Sequence, residues 1–158
     1  MSHLYRASLT WSRGGAAFTD QRYSRGHQWS FDGGITVPAS SSPLSVKLPY
    51  SVAEAVDPEE ALVAAVASCH LLTFLYVAAK QGYVVDSYAD EAVGEMTKNE
   101  RGKLWVSKVT LSPAIAFSGA KRPSQEQFDA LHHLAHEECF IANSVKSEVV
   151  VQGTMSFV

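Results

Sequence analysis

Residues 61–79 carry no Asp, Glu, Lys or Arg, and no other feature limits the possible folds of this chain so tightly. At a helical rise of about 1.5 Å per residue such a stretch could cross a bilayer. Its centre, however, holds Ser68, Cys69, His70 and Thr73, it opens on Asp57-Pro58-Glu59-Glu60, and no basic cluster flanks it to set an orientation. It therefore reads as the central helix of a soluble protein, with no membrane partner. The start is well marked: Asp57 is a good N-cap, Pro58 fills the first helical position, and Glu59 and Glu60 favour the positive helix end. Gln81-Gly82 supplies the stop after Lys80. A helix apolar on every side needs cover on every side. The remaining elements are too few to provide it, so a second copy of the chain is expected around this helix.

Those elements follow from local patterns. Residues 4–12 are rich in strand formers and end at the turn signal Gly14-Gly15, and residues 27–37 alternate around Asp32-Gly33-Gly34 as a hairpin or bulged strand. The polar stretch 22–26 is a loop, and 38–56, with three prolines, is a long irregular segment. Residues 84–98 and 103–117 flank Asn99-Glu100-Arg101-Gly102 and read as two long antiparallel strands of one hairpin. Ser124 caps a helix over 125–138, whose Phe128, Leu131, Leu134 and Ala135 recur at helical spacing, and 147–158 closes the chain as a strand. The order β–β–α–β–β–α–β predicts an α+β fold with a largely antiparallel sheet, in a single domain over 1–158.

Composition narrows the function. The 158 residues are 46% hydrophobic and 18% charged with a net charge of −3, a globular composition without the basic patch that nucleic acid requires. The first residues show no basic stretch followed by an apolar one, so a cytoplasmic protein is expected. In that compartment a transient catalytic disulfide is more usual than a structural one.

The chain has two cysteines, Cys69 on the apolar helix and Cys139 at the end of the polar one. Cys69 falls on the stripe Leu62, Ala65/Val66, Cys69, Leu72/Thr73, Tyr76, one face of a helix. A nucleophilic cysteine must be a thiolate, and a thiol with a pKa near ~8.5 is only about 3% ionised at neutral pH. A guanidinium at ~4 Å contributes on the order of 4 kcal/mol toward ionisation before desolvation opposes it. Arg13, Arg22 and Arg25, in the first loops, are the candidates. Glu59 lies nearly three turns before Cys69, roughly 15 Å along the axis, and can reach it only through another residue or another subunit.

The run Asp57-Pro58-Glu59-Glu60-Ala61-Leu62-Val63-Ala64-Ala65-Val66-Ala67-Ser68-Cys69 resembles the Asn/Asp-Pro-Glu-Glu/Gln-Leu…Ala-Ala/Ser-Cys signature of the OsmC/Ohr family of hydroperoxide reductases, spacing included. Glu138-Cys139-Phe140-Ile141-Ala142-Asn143-Ser144 resembles that family's second thiol site, and the likeness in element order spans the chain. The resemblance implies an intertwined homodimer with sheets wrapped around two central helices and active sites at the subunit interface. It also implies Cys69 as peroxidatic thiol, Cys139 as resolving thiol, and Glu59 as the carboxylate orienting an activating arginine. Arg25 is taken as that arginine because it lies a few residues before the Asp32-Gly33 turn, with Arg22 second. Organic hydroperoxides would be reduced at the expense of a lipoyl-type or other dithiol, with no metal or flavin. Phe140 stands where the family commonly has proline, and His70 where an apolar residue is common.

Three other chemistries use the same residues. His132, His133, His136 and Cys139, with Cys69 and His70, could supply metal ligands, although no finger or ribbon spacing is present. Cys69 with His136 could act as a hydrolase pair, without a recognisable nucleophile elbow. A non-catalytic dimer could sense oxidants through its thiols or bind an apolar ligand.

Overall fold

The computed structural model describes residues 2–158, and these divide into two compact units, the first ending at Ala61 and the second running Leu62–Val158. In the first unit, β1 (Ala7–Thr10), β2 (His27–Phe31) and β3 (Thr36–Ala39) form an antiparallel sheet in that order. The β2–β3 turn closes with the Gly34 N–H donating to Phe31 O and the Phe31 N–H to Ile35 O; Gly34 has φ +86°, a left-handed conformation that glycine adopts without strain. Strand β3 extends through Pro38, which the sequence assigned to the irregular segment. A proline is tolerated there because β3 lies at the sheet edge. The segment after it is tied back to the strand: the Ser40 N–H donates to Val56 O, the Val56 N–H to Pro38 O, and the Val52 N–H to Ser40 Oγ.

Helix α1 (Pro58–Lys80) starts where the sequence predicts. Asp57 Oδ1 accepts from the Glu60 N–H at 2.7 Å while Glu60 Oε2 accepts from the Asp57 N–H at 3.3 Å, a reciprocal cap that satisfies two otherwise orphaned donors.

In the second unit the expected pair of long strands is interrupted. Residues 84–98 form β4 (Val84–Ala89) and β5 (Val93–Lys98), and the return forms β6 (Leu104–Leu111) and β7 (Ala114–Ser118). The last strand is likewise split, into β8 (Glu148–Val151) and β9 (Thr154–Phe157). Two three-stranded sheets result, β5-β6-β8 and β4-β7-β9, with β4–β7 and β5–β6 antiparallel and β6–β8 and β7–β9 parallel. All three breaks have a local cause. Pro113 has no N–H to donate to a ladder, Asp90 Oδ1 takes the Ser112 N–H at 2.7 Å in place of a strand partner, and Gly153 supplies no side chain to a pleat.

Helix α2 (Gln125–Glu138) has a full capping box between Ser124 and Gln127. The chain then turns at Cys139 into a 3₁₀ turn, Ala142–Ser144. The two sheets enclose separate cores. Phe74, Val77 and Ala78 of α1 pack with Tyr83, Ile115, Phe117, Phe128, Leu131 and Ala135, whereas Val66 packs with Val109 and Leu111.

Within one chain α1 is buried on one face only, through Val66, His70, Phe74, Val77 and Ala78. The expectation of a helix covered on every side is not met by a single copy: Leu72 and Tyr76 remain 63% and 65% exposed.

Candidate active site

Cys69 lies between the two cores, with Val66 anchoring α1 in one and Phe74 in the other. Its side chain is half-buried and lines an open cavity of about 890 Å³ on the uncovered face of α1. The lining is mainly apolar, with Leu72, Tyr76, Leu134, Phe140 and Ile141 among its residues. Lys80 and Glu138 supply the charges. Lys80, Leu134 and Glu138 were not read from the sequence as lining this site, because which parts of two helices face one cavity is set by how those helices cross.

Cys139, seventy positions later, is fully buried, and its thiol lies beside the Cys69 side chain. Burial, then the neighbouring Cys69 side chain, pushes the Cys139 thiol up to about 11, against the pull of the Ala142 N–H that reaches its sulfur at 3.4 Å. Cys139 therefore keeps its proton at neutral pH. Of the two sulfurs, Cys69 is the one open to a ligand. The backbone around Cys139 is held firmly without proline at the next position: its N–H donates to His136 O, and its carbonyl accepts from both the backbone and side-chain amides of Asn143. Phe140, in that next position, is 79% exposed and turned to the cavity.

Arg25 and Glu59 both belong to the first unit. The Arg25 guanidinium is half-buried, donates through Nη1 to Gln21 O and Tyr23 O at 2.6 Å each, and stacks 4.0 Å from the Tyr23 ring centroid. Gln21 adopts φ +62°, an uncommon conformation for a side-chain-bearing residue, and its carbonyl is one of the two that hold the guanidinium. Arg13 and Arg22 are exposed. Among the described residues the ion pairs are Lys108–Glu95 and His133–Glu137, and neither Arg25 nor the half-buried Glu59 has an ionic partner among them.

His70, His132 and His133 pair within the chain, while His136 Nδ1 is buried without a hydrogen-bond partner among the described residues. His133 pairs with Glu137 at 3.3 Å on the surface, and His70 Nε2 lies 3.0 Å from His132 Nδ1 in the interior. Among the described residues no three His, Cys, Asp or Glu side chains converge as a metal-ligand set, and His136 makes no hydrogen bond to Cys69. What the geometry offers is a contacting thiol pair, one member buried and protonated, the other facing an apolar cavity.

The sequence profile of the OsmC-like protein family matches residues 51–153. No curated protein matches the chain. Among solved structures, an OsmC-like protein of unknown function from Vibrio cholerae is 54% identical over 98% of this chain and 100% of its own, with a TM-score of 0.93. An OsmC-like protein from Mycoplasma pneumoniae is 14% identical over 100% and 99% of the two chains, with a TM-score of 0.71. An organic hydroperoxide resistance protein from Elizabethkingia anophelis, with thiocyanate bound, is 17% identical over 100% of both, with a TM-score of 0.65. The last two likenesses establish the fold alone.

Proposed function

This chain belongs to the OsmC-like protein family, and from that premise we propose that it is a cytoplasmic, thiol-dependent peroxidase that reduces organic hydroperoxides. One observation carries the reading: the half-buried Cys69 at an apolar cavity, beside the buried, protonated Cys139.

The Cys69 thiolate attacks the distal oxygen of ROOH. A sulfur–oxygen bond forms as the O–O bond breaks, giving a sulfenic acid and an alkoxide that takes a proton to leave as ROH. Cys139 then gives up its proton and attacks the sulfenic sulfur. The hydroxide expelled combines with that proton as water, and a Cys69–Cys139 disulfide remains. An external dithiol, of the lipoyl type or another, restores both thiols by exchange while being oxidised itself. A high Cys139 pKa suits this order, because the second thiol stays unreactive toward peroxide until a sulfenic acid faces it.

The activating cation in this reading is Arg25, preoriented by two carbonyls and the Tyr23 ring, with donors left to grip a carboxylate. That carboxylate is Glu59. The two would meet in a homodimer that covers the open face of α1, where Leu72 and Tyr76 are exposed. The apolar lining favours alkyl or aryl hydroperoxides over hydrogen peroxide.

Consumption of cumene hydroperoxide with a dithiol donor tests the assignment. Cys69→Ser should lower turnover by about a thousandfold or more. Cys139→Ser should still consume one equivalent, then stall and overoxidise. Equal loss of that first equivalent in both variants contradicts the division of roles, and a folded wild-type protein without turnover favours an apolar-ligand binder.

A further inference from the structure

The peroxidase chemistry uses two cysteines and leaves a second polar link between the same two helices unexplained. His70 follows Cys69 on α1. Its Nε2 lies 3.0 Å from His132 Nδ1 on α2, and the two rings stack with centroids 5.3 Å apart and planes within 10°. Phe74 and Phe128 close on His132 at centroid distances of 4.5 and 4.6 Å. Both imidazoles are buried, and their far nitrogens, His70 Nδ1 and His132 Nε2, have no hydrogen-bond partner among the described residues. An orphaned buried polar group is destabilising, so apolar side chains would pack here more stably.

The chain nonetheless makes room for the pair. A β carbon on Gly153 would stand 2.5 Å from His132 Nε2, so only glycine lets the chain between β8 and β9 lie against this ring. Its directionality is distinctive as well. Apart from the thiol contact, His70–His132 is the one side-chain hydrogen bond between α1 and α2 among the described residues. The other contacts across this junction are apolar, and apolar contact is non-directional and tolerates sliding. His132 and His136 of α2 and Cys139 at its C-cap follow one another at helical spacing, and His132 touches α1 through His70.

We propose that His70 and His132 are positioning residues: their hydrogen bond fixes the register of α2 on α1 and so holds Cys139 against Cys69 for disulfide closure. One ring nitrogen donates and the other accepts, which requires the accepting imidazole to be neutral. Burial ensures this, holding each down to about 4, with His136 adding to the effect on His70 and His70 to that on His132, while Asp129 pulls His132 the other way. The inference rests on the redox reading of the two cysteines, but its test needs no hydroperoxide.

Reduced protein is oxidised with diamide. Each thiol gives up a proton and an electron, the azo N=N is reduced to N–H–N–H, and the sulfurs join. Disulfide closure is timed beside alkylation of Cys69 by iodoacetamide. His70→Leu should slow closure by about tenfold while alkylation stays within about twofold, and His70→Gln, which keeps a hydrogen-bonding amide near the position of Nε2, should restore closure to within about threefold. Equal closure in wild type and His70→Leu overturns the proposal, as does a His70→Gln variant as slow as His70→Leu, or a wild type that does not close. Should His70→Leu fail to fold, His132→Asn and His132→Leu make the same comparison from α2. A clear His70 effect on diamide closure in a protein without hydroperoxide turnover would support the positioning role while overturning the peroxidase reading.

Discussion

Cys69 and His70 are adjacent in sequence yet meet opposite surroundings on α1. A helix turns about 100° per residue, so the first faces the open cavity with Leu72 and Tyr76, and the second faces inward with Phe74 and Val66. On the inner face, packing is complete within one chain and a substitution is felt as lost stability. On the outer face packing is incomplete, and a substitution should be felt as lost reactivity or lost assembly. One helix thus serves as both scaffold and site wall, divided along its length.

The sharpest way to break this contrast is to truncate one side chain on each face. Phe74→Ala, at a fully buried ring between α1, β4 and α2, should cost about 3–5 kcal/mol in urea unfolding. An unfolding midpoint close to wild type would mean that the inner face is not the scaffold described.

Acid addresses the inner face next. His70 and His132 sit near 4 when folded and at about 6.5 when unfolded. Above pH 6.5 both states are neutral and nothing changes. As pH falls from there toward 4, the unfolded chain binds protons that the folded one resists, so stability should fall over that window, by a few kcal/mol for the pair, and level off below it. Urea titrations of wild type and His70→Gln at several pH values check this, and equal pH dependence in the two would remove His70 from the account.

The smallest effect on stability is expected outside. Leu72→Ala, at a position 63% exposed in the single chain, should change monomer stability by less than about 0.5 kcal/mol while raising KM for an aryl hydroperoxide by about tenfold. A large stability loss that does not depend on protein concentration would instead place Leu72 in the packed core of the single chain.

Some of this was legible in the residues. Asp57-Pro58-Glu59-Glu60 and Ser124 with Gln127 mark helix starts because a cap depends on atoms three positions apart. The strand breaks near Asp90, Pro113 and Gly153 were not recognised, since alternation continues through them and only pairing with neighbours reveals where a ladder stops. Likewise His132 and His136 could be read as metal ligands or solvated charges. Their burial depends on which face of α2 meets α1.

The sequence by itself determined that a long apolar helix carries one thiol, that a second follows on a polar helix, and that the family is OsmC-like, because caps, periodicity and motif spacing are local properties of the chain. Packing in three dimensions settles which thiol is open and which is buried, sets the two side by side, and joins the same helices through two histidines. Those outcomes depend on the crossing of α1 and α2, which is set by packing between residues some sixty to seventy positions apart and leaves no periodic trace along the chain.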